Sequence, residues 1–324
     1  MNVFITRVIA EEGLKLLKDA GHTVKQWTEK RSLTVDELIE ECRWADALLS
    51  AGQRLTKEFL EASTHLKIIA LHSVGYDNVD VETANRLHIP IGNTPGVLSG
   101  ATADTAFLLM MAASRKAFYM HKTIIAGEWD FFDPIANLGT ELNGCTLGVF
   151  GLGKIGIEMA KRCAGAFGMK IIYHNRSRNE EAEEDLDAGY VSFEELLKRS
   201  DVLTVHTALT PETTGKFNAA AFNQMKPGAI FINTARGAIH NEEDLIEALQ
   251  NKVIWGAGLD VTNPEPMKAD NPLLSMPGVA VLPHIGSATE GTRNAMARLA
   301  AQNIIAGLAG EEIPFPVNPE VYQR

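Results

Sequence analysis

Short runs of β-branched and other apolar residues alternate with longer amphipathic stretches along most of the chain. Over residues 1 to about 95, apolar runs at 3–6, 22–27, 47–50, 68–71 and 89–93 are separated by stretches at 11–20, 35–43, 57–61 and 81–87 whose apolar positions recur at helical spacing. Strands joined by single helices imply right-handed crossovers, so this part predicts a parallel sheet of about five strands. A second series of runs at 147–150, 170–173, 202–206, 229–233, 258–261 and 279–282 predicts a complete doubly wound unit of six or seven strands.

Residues 101–126 read as one long helix, too apolar on several faces to be a free linker, and 290–308 as another that needs a buried partner. Returning that last helix to the first sheet makes the first domain discontinuous. The expected fold class is α/β with two doubly wound parallel-sheet domains: a discontinuous flavodoxin-like domain, 1–98 with 288–324, and an inserted Rossmann domain, 99–287. Connections near Pro95-Gly96 and 284–288 then become hinges, with an active site expected between them. The segment 127–143 carries Trp129, Phe131, Phe132 and Pro134 without a period, and reads either as a surface loop or as a segment packed on a second subunit.

The first candidate chemistry lies in the run Gly148-Val-Phe-Gly151-Leu-Gly153-Lys-Ile-Gly156, placed between an apolar strand and a helical stretch. Gly151 permits the tight turn, Gly153 lets backbone approach a pyrophosphate, and Gly156 allows close packing of helix on strand, with free helix N–H groups facing the anion. In NAD-binding units the second strand ends in an acid that holds the ribose 2′-hydroxyl. Here it ends His174-Asn175-Arg176-Ser177-Arg178. Two arginines among small polar residues suit a 2′-phosphate, so the expected cofactor is NADPH; Glu180-Glu181 follow closely and keep NADH open.

Composition narrows the classes. At 45% hydrophobic and 22% charged residues the chain is of globular type. Its longest apolar run, 106–113, is far short of the ~20 residues of a membrane span. Arg7 interrupts the first apolar stretch and Glu11-Glu12 follow it, which is not the order of a signal peptide. Cys42, Cys145 and Cys163 are scattered, with neither a zinc nor a disulfide pattern, and fit a reducing compartment. A cytoplasmic protein without a membrane partner is expected. The net charge of −11 argues against nucleic acid as a partner, and means that an anionic substrate must meet a local cation.

Three residues fall where predicted strands end at their carboxyl side: Arg236, Glu265 and His284. Singly they read as a surface charge, a loop carboxylate and a buried histidine. Together they make a chemical set. A carboxylate at Glu265 stabilises an imidazolium at His284 and keeps it usable as an acid near neutrality. Arg236 suits the carboxylate and keto oxygen of a small anionic 2-keto acid.

These residues, with His72-Ser-Val-Gly-Tyr-Asp-Asn-Val-Asp80, Asn93-Thr-Pro-Gly96, Ala101-Thr-Ala-Asp104, Thr234-Ala-Arg-Gly237, Asp260-Val261, Glu265-Pro266 and Pro283-His-Ile-Gly-Ser-Ala288, resemble the D-isomer-specific 2-hydroxyacid dehydrogenase family over nearly the whole chain, and particularly its glyoxylate/hydroxypyruvate reductase branch. The resemblance implies catalytic roles for Arg236, Glu265 and His284, a substrate-carboxylate site on the backbone of Val74 and Gly75, and Asp260 near the nicotinamide. It further implies cofactor contacts at Thr102, Leu152 to Ile155 (thus Gly153 and Lys154), Thr234 and Gly286, with Arg236 and His284 also facing cofactor, and a homodimer. NAD-dependent members usually carry an acid where His174 stands, and phosphite-oxidising relatives a lysine where Val74 stands. The expected activity is reduction of glyoxylate or hydroxypyruvate, with 2-ketogluconate next, to the D-2-hydroxy acid. Two other readings stand beside it: an NAD(P)-sensing corepressor-like binding protein, and an NAD-dependent phosphoglycerate dehydrogenase, whose fused regulatory domain has no counterpart in this chain.

Overall fold

The computed structural model describes residues 1–323. Its elements in chain order are β1 (Asn2–Ile5), α1 (Glu11–Asp19), β2 (Thr23–Gln26), α2 (Val35–Cys42), β3 (Ala47–Ser50), α3 (Lys57–Ala62), β4 (Ile68–Leu71), α4 (Val81–Arg86), β5 (Ile91–Gly92), α5 (Ser99–Ser114), α6 (Ala117–Ile125), β6 (Thr146–Phe150), α7 (Lys154–Phe167), β7 (Lys170–His174), α8 (Glu180–Leu186), β8 (Gly189–Tyr190), α9 (Phe193–Arg199), β9 (Val202–Val205), α10 (Ala219–Phe222), β10 (Ile230–Asn233), α11 (Glu242–Gln250), β11 (Gly256–Leu259), β12 (Val279–Val281) and α12 (Glu290–Ala309). Within the described residues they form two compact units, one comprising 1–98 with 288–323, the other Ser99–Ser287.

The first unit is a parallel sheet of order β2-β1-β3-β4-β5, the flavodoxin-like doubly wound arrangement. Its central strands β3 and β4 are buried at every position, as expected where both faces are covered, whereas β2 lies at the edge and alternates exposed with half-buried residues. One face packs Phe4, Leu48 and Ile69 against Leu38 and Phe59; the other packs Val3, Leu49 and Ala70 against Leu17 and against Ala297, Ala300, Ala301 and Ile304 of α12. The apolar positions of the last helix thus find their partner on the first sheet.

The second unit is a seven-stranded parallel sheet of order β12-β11-β10-β9-β6-β7-β8, which is the Rossmann order with one further strand beyond β11. The winding reverses between β6 and β9, and both strands end at the carboxyl edge where ligands bind in such sheets. Leu109, Met110, Val149, Met159 and Ile232 fill one face, and Leu203, Phe217, Phe222, Phe231 and Leu245 the other.

The helix expected over 101–126 is two helices. The chain breaks after α5 at Lys116, which takes a left-handed φ of 55° and places its ammonium 4.9 Å from the centre of the Trp255 ring. A cation over an aromatic face contributes about 0.5–1 kcal/mol, which offsets part of the cost of that backbone. β8 is absent from the pattern-based reading because its two residues lie exposed at the sheet edge and carry no apolar run.

Candidate active site

The glycine turn follows β6. Gly151 has φ of 99°, and a Cβ there would lie 2.8–2.9 Å from the His206 and Thr207 backbone beyond β9, so only glycine lets the turn close over that strand. At Gly156 a Cβ would stand 2.5 Å from the Gly151 carbonyl, whereas at Gly153 it would meet nothing within 4 Å. Thr34, Thr56, Asp80, Asn179, Ser192, Asn241 and Thr289 cap their helices through side chains; α1 and α6 have no side-chain cap, nor has α7, which starts at Gly153. Its first-turn amides, on Lys154, Ile155 and Gly156, are therefore left for an anion. Open space above Gly153 and an uncapped helix fit a dinucleotide pyrophosphate. The Leu152 peptide is spent internally instead: its N–H donates to Asn175 Oδ1 at 2.7 Å, its carbonyl accepts from Asn179 Nδ2 at 3.0 Å, and its side chain is buried. Asn175 thus clamps the turn.

Beyond β7 the two arginines differ. Arg178 binds both carboxylate oxygens of Glu183, which also accepts from the Tyr173 hydroxyl. Arg176 and Ser177 are exposed and make no hydrogen bond or ion pair among the described residues. His174 is stacked on Phe150 at 5.9 Å and bonded to the Val191 carbonyl at 2.9 Å.

Arg236 stands on the turn after β10. That turn is held by the fully buried Asn233, whose Oδ1 accepts from the Ala235 N–H at 2.9 Å while Nδ2 donates to the Arg236 carbonyl at 2.8 Å and lies 3.0 Å from His240 Nδ1. Burial pushes His240 down to about 4, so it stays neutral and accepts. Gly237 lies so close to the next loop that a Cβ would be 1.9 Å from the Thr262 carbonyl oxygen. That loop carries Glu265 and is fixed from below by Glu242, which accepts from the Asn263 N–H at 3.0 Å and from Asn271 Nδ2 at 2.7 Å.

Glu265 Oε1 lies 2.6 Å from His284 Nδ1, with both side chains a little under half exposed. Burial alone would raise the Glu265 carboxyl, but the His284 bond and charge, the Thr262 backbone and the nearby Arg236 outweigh it and hold the group below its ordinary value. His284 has a left-handed φ of 56°. The following backbone is held by Asp260, which is 1% exposed and accepts from the N–H groups of Ile285 and Gly286 at 2.7 Å each. Burial raises the Asp260 carboxyl despite those two bonds. Thr102, also buried, faces Gly286: a Cβ on that glycine would sit 3.3 Å from its methyl.

Within the second unit, then, Arg236, Glu265 and His284 sit on three loops that follow β10, β11 and β12, with Asp260, Thr102 and Gly286 around the last. Val74 and Gly75 follow β4 in the first unit. Sequence reasoning passed over His206, directly after β9: its ring bonds Thr204 Oγ1 at 2.8 Å and Thr234 Oγ1 at 3.4 Å, and burial drives it down to about 3. Its available signal was a histidine at the end of the strand beside the glycine strand. Among the described residues no cluster suits a metal ion, and no helix is long and apolar enough to cross a membrane.

Against known proteins, the model of the D-isomer specific 2-hydroxyacid dehydrogenase, NAD binding domain, matches residues 107–286. A glyoxylate reductase of Thermococcus litoralis is 44% identical over 324 residues, covering 98% of this chain and 97% of that one. A solved structure from Thermus thermophilus aligns with a TM-score of 0.91 at 40% identity, covering 98% of this chain and all 100% of that one. An NADPH-dependent glyoxylate/hydroxypyruvate reductase from Sinorhizobium meliloti, in complex with NADP and malonate, aligns with a TM-score of 0.82 at 32% identity, covering 98% and 97%.

Proposed function

The chain belongs to the D-isomer specific 2-hydroxyacid dehydrogenase family, and we propose that this member uses NADPH to reduce glyoxylate or hydroxypyruvate, with 2-ketogluconate next, to the D-2-hydroxy acid. It is an NAD(P)-dependent oxidoreductase of small 2-hydroxy acids. The observation that carries the proposal is the 2.6 Å His284–Glu265 pair, with Arg236 close enough to lower the same carboxyl.

The nicotinamide, when bound, supplies a hydride to the keto carbon. The chain's own residues do the rest. With Nδ1 engaged by Glu265, His284 presents Nε2, and an imidazolium there donates its proton to the keto oxygen as negative charge develops on it. Glu265, ionised at neutral pH, stabilises the protonated ring before transfer. Arg236 binds the substrate through carboxylate and keto oxygen, drawing electron density from the carbonyl. The Val74 and Gly75 backbone receives the carboxylate. For the cofactor, the amides of Lys154, Ile155 and Gly156 and the open space at Gly153 suit the pyrophosphate. Thr102, Thr234 and Gly286 are assigned to further cofactor contacts and Asp260 to its nicotinamide end, where Asp260 also sets the His284 loop. Arg176 and Ser177 are assigned to the 2′-phosphate, with Asn175 holding the turn between them and the glycines. Arg178 supports this loop through Glu183 rather than reaching for phosphate.

A homodimer is part of the same reading. Ile125, Trp129, Phe131, Phe132 and Ile135 are each more than 70% exposed on α6 and the segment after it, an apolar surface that a second copy would cover. Sedimentation at micromolar concentration tests this, and a monomer refutes it. Three free thiols, two of them buried, suit the cytoplasm.

The direct test follows NADPH and NADH oxidation separately with glyoxylate, hydroxypyruvate, 2-ketogluconate and 3-phosphohydroxypyruvate. NADPH with one of the first three is expected to give the highest kcat/KM. Cofactor binding without turnover would favour a sensor. Fastest reaction of NADH with the phosphorylated acid would favour phosphoglycerate oxidation.

A further inference from the structure

After β4 the chain turns through Ser73, Val74 and Gly75, and all three carbonyls of that turn are tied. The Thr94 N–H donates to the Ser73 carbonyl at 2.9 Å, Asn93 Nδ2 to the Val74 carbonyl at 2.8 Å, and Ser73 Oγ to the Gly75 carbonyl at 2.7 Å. A trans peptide carries its N–H opposite its carbonyl. The N–H groups of Val74, Gly75 and Tyr76 are therefore turned away from those three partners, and among the described residues none of them donates to a protein group. Asn93 is itself anchored. Its N–H donates to the Phe315 carbonyl at 3.1 Å, and its own carbonyl accepts from Asn303 Nδ2 at 2.9 Å. Asn303, fully buried in α12, also accepts from the Phe315 N–H at 3.2 Å.

We infer that Asn93 and Ser73 are positioning residues for the reaction: by holding the Val74 and Gly75 carbonyls they keep successive backbone N–H groups presented to the substrate carboxylate, with Asn303 fixing Asn93 in turn. Consecutive unspent N–H groups make a backbone anion receptor. Such a receptor is preorganised only while its peptides cannot rotate. The inference rests on the proposed keto-acid function for its substrate, but the mechanical arrangement is independent of which keto acid enters.

The test compares Asn93→Ala, Ser73→Ala and Ser73→Thr with the parent enzyme in turnover, and measures binding of oxamate to the cofactor complex by calorimetry. For each alanine variant, KM for glyoxylate and Kd for oxamate are expected to rise about tenfold, the scale of removing one hydrogen bond. Cofactor Kd should stay at the parental value, the melting temperature should fall by no more than about 4–8 °C, the scale of one internal hydrogen bond, kcat should change by less than about threefold, and Ser73→Thr, which keeps the hydroxyl, should restore the parental constants. Unchanged oxamate binding in Asn93→Ala would overturn the inference. So would a loss in Ser73→Thr equal to that in Ser73→Ala, or parallel weakening of cofactor and oxamate. A parent enzyme without turnover would defeat the functional reading alone, since oxamate binding by the variants still decides this one.

Discussion

Gly237→Ala puts the catalytic geometry to a steric test. The added Cβ would lie 1.9 Å from the Thr262 carbonyl oxygen, 2.2 Å from its carbon and 3.0 Å from the Asn263 nitrogen, all backbone atoms without a flexible side chain to yield. Reaching even the 3.0 Å floor for real Cβ contacts from 1.9 Å requires the two loops to part by 3.0 − 1.9 = 1.1 Å. One of those loops carries Arg236 beside the substituted glycine, and the other carries Glu265 soon after Asn263. A displacement of about 1 Å costs roughly 10²-fold when groups must meet in one transition state. Overpacking a buried site costs about 1–3 kcal/mol of stability, or roughly 2–12 °C in a unit of this size. Expected results are a kcat/KM near 1% of the parent, a lowered melting temperature and a cofactor Kd little changed. Gly165→Ala is the control, because that position is exposed in α7 and its Cβ would meet nothing within 4 Å; activity should be retained and stability unchanged or raised by up to about 1 kcal/mol. If Gly237→Ala keeps kcat/KM within threefold of the parent, the close approach does not register Arg236 against Glu265 and the reasoning fails.

Arg176→Glu should weaken NADPH binding about 100-fold and NADH less than threefold, because a charge-assisted hydrogen bond to the phosphate disappears and a like charge takes its place; equal weakening in titrations of the two cofactors would show the phosphate site to be misplaced. Glu265→Gln removes the carboxylate paired with His284 Nδ1, so kcat/KM should fall at neutral pH and the acidic limb set by protonation of Glu265 should be lost. In the parent the carboxyl lies below its ordinary value, and its contribution is therefore present above that value and lost only as pH falls through the depressed one. Superimposable pH profiles for parent and variant would contradict the pairing. His72 and His240 are each pushed down to about 4, the first by burial and then by Arg293, the second by burial. From pH ~6.5 down to ~4 the unfolded chain binds protons that the native one refuses, at a cost approaching about 3 kcal/mol per histidine. Urea midpoints should fall steadily over that window, and His240→Asn, which keeps an acceptor for Asn233, should flatten the decline; parallel curves would refute burial of a neutral ring as the cause.

Most elements were legible because their signals are local. Apolar runs marked β3, β4, β9 and β10, the glycine turn announced α7, and ordered motifs carried the family. Arg236, Glu265 and His284 were legible as strand-end residues in the motifs of one family. The break at Lys116 was not, because Ser114-Arg115-Lys116 is only a short polar step between two apolar stretches, and the ring that Lys116 meets, Trp255, lies far along the chain. The roles of Arg178 and Asn175 were hidden for a related reason. An arginine after the second strand looks equally fit for phosphate whether or not Glu183 holds it, and the Asn175 oxygen shows its partner only when the glycine turn folds back beside it.

By itself the sequence determined the alternation of strands and helices, the glycine turn and the chemical types able to carry out the reaction, since periodicity and residue identity are properties of neighbours in the chain. Only the tertiary structure decided the strand orders, the 2.6 Å union of Glu265 with His284, the clasp of Gly237 on Thr262 and the tying of three successive carbonyls after β4. Each of these depends on the distance between groups remote in sequence, and hydrogen bonds and steric contacts vary too steeply with distance for local pattern to specify them.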